Sequence, residues 1–441
     1  MNTATVGIDF GTTNSSVAFV NGSRQIQLAR FSMNGQPIES YRSLLYLEQV
    51  RERGVNTLKS SSGPTGIEHY LAGDGRGRLM QSLKSFLSNR DLQTTEVFGR
   101  RQRLEWLIAR ILKDLREKAE LQFGIRIRRA VVGRPVQFVG AENEGDNQYA
   151  EERLQEAFQV AGYESVEFEF EPVAAARYYE STLDRDQLIL IGDFGGGTSD
   201  FSLLRVGPSV LSRGRTDNDL IGNAGVGFAG DAFDAKIIRH LVAPALGYGS
   251  ELRSMDKVLS VPSWVYTRLE RWHHLSFLKA KDVLEMLRGV EAEALEPEKI
   301  QALIHLVRRD LGFHLHSAVQ KVKSELSCRE EATFEFSAGH IQLRALLARS
   351  VFETWIAEEL GRIQTCVDLL LTSAAVPPET VDAVFLTGGS SFVPAVRRIF
   401  EMRFGADKIK TGNAFTSVAY GLALRAARAQ SALRSSTITG S

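Results

Sequence analysis

The amino-acid sequence predicts an α/β protein built from two related lobes. The main observation is a short motif that occurs twice, at residues 6–15 and 188–200. Each copy is an apolar run followed by aspartate, phenylalanine, glycine and threonine, and a second apolar run comes after it. This pattern predicts a strand, a tight tip and a return strand in both places. The length of 441 residues agrees, because it is too long for one ordinary core.

The later copy contains three consecutive glycines. Residues 188–191 predict a buried strand, Asp193 stands near its end, and glycines 195–197 precede Thr198. Glycine lets the backbone turn tightly and approach another group closely. Exposed backbone N–H groups at such a tip form a concavity that binds anions, usually phosphate. The alternative interpretation is a solvent-exposed turn, which is the commoner role of a single glycine-rich hairpin.

The earlier copy argues against that alternative. Asp9 ends an apolar strand, residues 11–14 form the tip, and residues 16–20 form the return strand. Two tips of the same design suggest a duplicated fold that holds a nucleotide between its halves. Asp193, at the end of the later strand, is suited to hold a metal ion through water.

Composition argues against several other classes of function. Lysine plus arginine equals aspartate plus glutamate, 53 each, so no overall field recruits nucleic acid or an anionic membrane. Cys328 and Cys366 lack the spacing of a metal knuckle or a disulfide framework. The sequence shows no apolar run of about 18 residues and no signal-peptide pattern before Val6. We therefore expect a monomeric cytoplasmic protein with no nucleic-acid or membrane partner.

The rest of the chain alternates between strand and helix patterns. The predicted helices are 104–121, 150–161, 173–179, 233–242, 264–327 with a break near 296–297, 343–371, 394–404 and 418–430. The predicted strands are 25–30, 43–47, 130–135, 166–170, 333–336 and 381–386. Residues 51–80 are polar and glycine-rich, with 60–64 expected to be the least ordered part, and 431–441 predict a disordered tail. The aromatic residues of 264–277 are expected in the core or on a partner surface.

The two hairpins resemble the phosphate loops of the actin, sugar kinase and heat-shock ATPase superfamily. Residues 8–15 together with 193–198 are most similar to the DnaK-type, seventy-kilodalton heat-shock chaperone family, and to its short YegD-like members in particular. This resemblance implies a two-lobed actin-like ATPase fold with a ribonuclease H-like duplication, in which each lobe is a mixed sheet flanked by helices. It also implies lobe I over 1–183, lobe II over 184–430, and smaller outer subdomains at about 41–103 and 228–339.

The resemblance implies ATP or ADP with Mg²⁺ as ligands. The residues that would contact the phosphates are Gly11, Thr12, Thr13, Asn14, Gly195, Gly196, Gly197 and Thr198. Asp9 and Asp193 would hold hydrated magnesium, which prefers carboxylates and keeps its waters. The metal would offset charge that develops on the transferred phosphoryl group.

Two further residues complete the implied catalytic set of Lys84, Glu171, Asp193 and Thr198. Residues 170–176 are similar to the family's Asn-Glu-Pro-Thr-Ala-Ala-Ala, so Glu171 would position the metal-bound or attacking water. Lys84 stands where the family has a lysine that orients this water. The alternatives are a glutamate favoured by a helix dipole and a solvated surface lysine.

The adenosine end is also implied by resemblance. Residues 386–394 resemble the family's adenosine loop, and 228–234 resemble its Gly-Gly-Glu-Asp-Phe-Asp segment. The residues that would contact the nucleoside or lie near it are Gly230, Asp231, Lys323, Ser327, Gly388, Gly389, Ser390 and Phe392. Phe392 and Ser324 replace two arginines found in many members, and an aromatic ring at 392 is still able to stack on a base.

The resemblance implies an ATP-binding, chaperone-like protein whose slow, magnesium-dependent hydrolysis drives lobe closure. Its implied partners are ATP and a protein client or co-chaperone. Full-length members carry a peptide-binding domain after the ATPase, and we expect none here because the sequence ends soon after the last predicted helix. Three alternatives stay open, namely a small-molecule kinase of the same superfamily, a non-hydrolysing nucleotide-binding scaffold and an actin-like filament protein.

Overall fold

A computed structural model describes residues 3–52, 55–73, 77–254, 257–271, 275, 278–411 and 416–438. The strands are β1 Thr3–Phe10, β2 Asn14–Val20, β3 Ile26–Leu28, β4 Phe31–Met33, β5 Gln36–Ile38, β6 Tyr41–Arg42, β7 Leu44–Glu52, β8 Val55–Ser62, β9 Arg78–Gln81, β10 Thr94–Val97, β11 Arg100–Arg103, β12 Arg126–Arg134, β13 Ser165–Phe170, β14 Gln187–Phe194, β15 Ser199–Val206, β16 Leu220–Val226, β17 Glu251–Ser254, β18 Lys257–Ser260, β19 Glu331–Ala338, β20 Ile341–Ala348, β21 Ala383–Thr387 and β22 Ile409–Thr411.

The helices flank these strands. They are α1 Gly63–Ala72, α2 Leu104–Phe123, α3 Glu144–Val160, α4 Glu171–Glu180, α5 Pro208–Arg213, α6 Gly230–Ile237, α7 Trp264–Glu270, α8 Lys281–Glu293, α9 Pro297–Arg308, α10 Gly312–Cys328, α11 Arg349–Trp355, α12 Ala357–Ser373, α13 Pro394–Phe404 and α14 Ser417–Ile438. No helix in these described stretches has both the length and the apolar character needed to cross a bilayer.

The two large sheets have the same strand order and the same strand directions. The first sheet runs β3-β2-β1-β12-β13, and the second runs β16-β15-β14-β21-β22. In each, the first hairpin and its outer neighbour are antiparallel, and the two following strands are parallel to the first strand. Such repetition of order and direction confirms the predicted duplication and the mixed α/β fold. The central strands are buried on both faces because helices cover the sheets.

The last helix joins the second half of the chain to the first. Helix α14 follows the strands of the second sheet, yet it packs on β1 and on α4. Two glycines permit this close approach: a Cβ atom added at Gly421 would lie 2.5 Å from the carbonyl carbon of Ala174 in α4, and one at Gly7 would lie 2.8 Å from the carbonyl oxygen of Ala419. Real Cβ atoms are essentially never that close to other atoms. Glycine is therefore required where α14 meets the first half.

Separate small sheets lie in the two segments predicted to be outer subdomains. A three-stranded sheet, β8-β7-β9, and the β10–β11 hairpin fall within 41–103, and the β17–β18 hairpin falls within 228–339. The exact limits of lobes and subdomains stay a prediction.

The prediction for residues 51–80 was wrong for most of its length. Strand β8 pairs with β7 from Val55 to Ser62, and α1 follows at once. The polar residues of β8 misled the sequence interpretation, because strand pairing uses backbone groups and needs no apolar side chain on the solvent face. The stretch expected to be least ordered includes Ser62, which is buried at the start of α1.

Three helix predictions also need correction. Residues 343–348 belong to strand β20 and pair with β19, so the helix predicted from 343 begins only at Arg349 and is split in two. In the described part of 264–327, the predicted helix is divided into the shorter helices α7 to α10. Of the two positions expected for the aromatic residues, Trp264 does not occupy the core, because it is exposed, and a partner surface stays a prediction. Trp272, His273, His274 and Phe277 lie outside the described residues. Helix α14 continues to Ile438, so the segment predicted as a disordered tail is helical over most of its length.

Candidate functional site

One cavity brings the predicted site residues together. Its volume is about 650 Å³, and its walls come from both large sheets and from helices α4, α6 and α10. The predicted residues that line it are Asp9, Gly11, Thr12, Thr13, Asn14, Lys84, Glu171, Asp193, Gly195, Gly196, Gly197, Thr198, Gly230, Asp231, Lys323, Ser327, Gly388, Gly389, Ser390 and Phe392. Residues that are hundreds of positions apart in the sequence thus meet around one space. The individual roles assigned to them remain proposals.

The tips of the two hairpins touch each other across this cavity. Strand β1 ends at Phe10 and β14 ends at Phe194, so both tips begin at the same edge of their sheets. A Cβ atom on Gly197 would lie 2.9 Å from Oγ1 of Thr12, and one on Gly196 would collide with the side chain of Thr13. The glycines of the second tip therefore allow the first tip to approach, as the sequence predicted for a close backbone contact.

Lys84 and Glu171 form a buried ion pair in the cavity wall. The lysine Nζ donates to Oε1 of the glutamate at 2.7 Å, and both side chains are at least nine-tenths buried. Lys84 lies in a single 3₁₀ turn, Leu83–Phe86, and Glu171 is the first residue of α4 with Pro172 behind it. Proline suits the first turn of a helix because its missing N–H is not needed there. The burial of Lys84 rules out the alternative of a solvated surface lysine.

Three carboxylates, two of which line the cavity, lie close enough to this pair to feel the charge of Glu171. Burial, together with the negative charge of Glu171, raises the pKa of Asp9 to about 7 and the pKa of Asp193 well above its ordinary range. Asp200 lies directly opposite Asp193 in the β14–β15 pair, and burial raises its pKa to about 7 as well. Opposed like charges destabilise a strand pair, so this arrangement favours binding of a cation.

The donor set fits hydrated magnesium. Oxygen ligands from one or two carboxylates, with waters in the remaining positions, are what Mg²⁺ prefers. Asp9 and Asp193 provide such oxygens at the edge of the two hairpins. Across the part of the chain that the structure describes, no three histidine, cysteine or acidic side chains converge closely enough to hold a metal directly. The residues therefore suit an ion held largely through water.

Asp200 was not recognised from the sequence as a structural residue. Its Oδ1 accepts hydrogen bonds from the backbone N–H groups of Val136 at 2.7 Å and Gln137 at 3.3 Å. These bonds fasten the loop after β12, in the first half, to the second hairpin. A single sequence holds no signal for this contact, because it depends on the two halves meeting.

A second charged group lies between α6 and α10. Lys323 Nζ is 2.7 Å from Oδ1 of Asp234 and donates to the carbonyl of Gly230 at 3.0 Å. Burial, with the charge of Asp234 nearby, raises the pKa of Asp231 to about 6. The N–H of Asp231 donates to the carbonyl of Gly196 at 2.9 Å, so α6 supports the second hairpin tip.

The far end of the cavity is less polar. Phe392 lines the cavity and is half exposed, and Ser324, Ser327 and Cys328 of α10 line it too. Gly388 has φ of +85°, and a Cβ atom there would lie 2.5 Å from the carbonyl carbon of Phe194. A planar base entering here would find an aromatic face and hydroxyl groups.

Arg42 and Gln320 are among the polar residues of the cavity that sequence reasoning missed. Arg42 belongs to the two-residue strand β6, which pairs with β2 beside the first tip. Its Nη1 donates to Oδ1 of Asn14 at 3.3 Å, and its Nη2 donates to Oε1 of Gln320 on α10 at 3.0 Å. The motif search did not reach Arg42, because only the pairing of β6 with β2 brings it to the site.

Two duplicated sheets that present glycine-containing tips and buried carboxylates to a shared cavity define the actin-like class of ATPase folds. Comparison with known families agrees: the model of the Hsp70 protein family matches residues 86–258 and 307–438. The chain belongs to the Hsp70 family.

Curated relatives carry the name chaperone protein DnaK. Those of Thermosipho africanus and Thermosipho melanesiensis are each 25% identical to this chain, and that of Thermotoga neapolitana is 23% identical. Each alignment covers 96% of this chain but only 58% or 59% of the relative. The chain therefore spans less than two thirds of the length of these relatives.

Proposed function

We propose that this protein binds ATP with magnesium in the cavity between its two halves and hydrolyses it slowly. The observation that carries the proposal is the buried Lys84–Glu171 pair beside the carboxylates of Asp9 and Asp193. Transfer of a phosphoryl group to water requires groups that bind the phosphates, a metal that offsets their charge and a residue that positions the water. The hairpin tips, the two aspartates and the Lys84–Glu171 pair are suited to these three tasks.

The roles follow from the placement of each group. The backbone N–H groups of the two tips bind and orient the phosphates, and the Thr198 hydroxyl lies with them in the cavity wall. Lys84 fixes the carboxylate of Glu171 in one orientation, so that Glu171 is able to accept a hydrogen bond from the attacking water. The lysine charge offsets negative charge on the terminal phosphate. Bound magnesium would add further charge stabilisation.

Lobe closure is the proposed output. A ligand that contacts both hairpin tips binds more tightly when the halves are together, so its binding energy shifts the equilibrium to the closed arrangement. The relatives are named chaperones, which supports a chaperone-like role with a protein client or co-chaperone. We propose that the protein acts in the cytoplasm, in keeping with its two free cysteines.

One observation favours a second candidate, a nucleotide-held scaffold that does not hydrolyse ATP. The ion pair at 2.7 Å occupies both Lys84 and Glu171 with each other. If that pair persists when nucleotide is bound, the charge of Lys84 is already offset by Glu171 and stabilises the terminal phosphate less, so nucleotide could be held without turnover.

Single-turnover hydrolysis of ATP with magnesium separates the two candidates. Wild type is compared with Lys84→Ala and with Lys113→Ala, a matched control at an exposed position of α2. Calorimetry with ATP, ADP and GTP is run on the same samples. Slow turnover in wild type and Lys113→Ala, lost in Lys84→Ala with ATP affinity retained, is the expected result. Tight binding without turnover in wild type would favour the scaffold, and no binding would refute both.

A further inference from the structure

Arg42 is a partly buried cation at the first hairpin tip. Strand β6 places it directly opposite Asn14 of β2, and side chains of directly opposed residues lie on the same face of a strand pair. Both side chains line the cavity. Arg42 therefore lies beside residues 11–13, the tip proposed to hold phosphate.

The guanidinium of Arg42 is held by neutral groups only. Its two hydrogen bonds run to the amide oxygens of Asn14 and Gln320, although a guanidinium carries five N–H donors. Among the described residues, no carboxylate lies within ion-pair distance of it, and Asp231 and Asp234 act on its charge from further away. Asp234 is already paired with Lys323. Arg42 is thus oriented but has donors to spare.

Loss of part of its hydration without a paired anion is unfavourable for a cation, and this partial burial lowers the pKa of Arg42. An anion that binds here and accepts hydrogen bonds from the remaining N–H groups of Arg42 would offset that cost. Phosphate is well matched, because its oxygens accept the parallel N–H groups of a guanidinium in a bidentate manner.

We propose that Arg42 binds the phosphate chain of the nucleotide and makes the site select nucleoside di- and triphosphates over nucleosides. This inference rests on the proposed function, since it takes a nucleotide to be the ligand. The inference adds Arg42, from the first half of the chain, to the residues that bind phosphate. Gln320, from the second half, accepts a hydrogen bond from Arg42 and so orients its guanidinium.

The competing role for Arg42 is mechanical. Because it links β6 to α10 through Gln320, it is also placed to fasten the two halves together whatever the ligand. The two roles differ in what they predict. Loss of a phosphate-binding residue weakens the binding only of ligands that carry phosphate. Loss of a residue that only links the two halves weakens the binding of ADP and adenosine equally.

The test measures the affinities of ADP, ATP and adenosine by competition calorimetry with magnesium present. Arg42→Gln removes the charge, Arg42→Lys keeps it, and Arg51→Gln removes an exposed arginine of β7 as a matched control. We expect Arg42→Gln to weaken ADP and ATP binding roughly tenfold to hundredfold with adenosine affinity unchanged. Arg42→Lys should keep most of the discrimination, and Arg51→Gln should match wild type.

Each other outcome is decisive. Equal weakening of ADP and adenosine binding in Arg42→Gln would show that Arg42 only links the two halves, and this would overturn the proposal. No weakening of either affinity would overturn it as well. If Arg42→Gln does not fold, Arg42→Lys decides: ADP affinity falling together with adenosine affinity overturns the proposal. Wild-type protein that binds none of the three ligands would refute the proposed function itself. Normal binding by wild type, with ADP and ATP affinities that do not change in Arg42→Gln, would refute only this inference.

Discussion

Replacement of Gly421 by alanine should separate α14 from α4. The added Cβ would lie 2.5 Å from the carbonyl carbon of Ala174, whereas ordinary contacts of this kind begin at 3.4 Å. The backbones must therefore move apart by at least about 0.9 Å, the difference between these distances, because the carbonyl oxygen of Ala174 is nearer still to the added Cβ. Both partners are helix backbone inside a packed core, so neither side chain rotation nor local collapse relieves the contact. Overpacking of this kind costs about 1–3 kcal/mol, and we expect the upper end of that range.

Gly289→Ala is the matched control, because it is also a glycine within a helix, α8, and nothing lies within 4 Å of its Cβ position. This substitution should stabilise the protein by roughly 0.5–1 kcal/mol, from helix propensity alone. Urea unfolding followed by circular dichroism measures both free energies. A Gly421→Ala protein within about 0.5 kcal/mol of wild type would refute the packing described between α14 and α4.

Three further predictions concern the core and the site. Burial lowers the pKa of His316 to about 3. Between that value and about pH 6.5, the imidazole is neutral in the folded state but takes up a proton in the unfolded state. The free energy of unfolding therefore decreases as the pH is lowered below about 6.5. The advantage of wild type over His316→Gln in unfolding free energy should shrink by about 1.4 kcal/mol between pH 7.5 and 5.5, and a constant difference would contradict this. Phe392→Ala should weaken ATP and GTP binding alike by roughly tenfold through lost stacking, measured by calorimetry with Phe392→Trp as the control. Arg153 pairs with buried Glu105 and donates hydrogen bonds to the carbonyls of Phe86, Leu87, Asn89 and Leu92. Arg153→Met should therefore lower the free energy of unfolding, measured in urea, by about 3–5 kcal/mol. A decrease below about 1 kcal/mol would contradict this structural role.

The repeated motif was enough to predict the duplicated fold and the hairpin residues that meet in the cavity. The reason is that both copies use local signals: an apolar strand, an aspartate and glycines at a tip. Resemblance then extended the set to residues such as Lys84 and Phe392, and all of them line one space. The pairing of Lys84 with Glu171 was not predicted, because it joins a short turn to a distant helix start.

Two of the errors, at β8 and at β20, have a common physical cause. Strand β8 is polar, and the residues of β20 repeat at a spacing that also suits a helix, so local composition pointed away from strands in both cases. Backbone pairing with β7 and β19 decided their structure instead. Tertiary context overrides propensity in this way wherever a strand has one solvent face.

The position of α14 has a consequence for the order in which the chain folds. This helix covers β1, yet residues 3–10 and 417–438 are at opposite ends of the described chain. During synthesis the first sheet is made early and keeps an uncovered apolar face until the helix emerges from the ribosome. Contacts between such distant segments form slowly, because a long loop must close before they are made. The nascent first half is therefore the form of this protein most exposed to aggregation, and the form with most need of a chaperone itself.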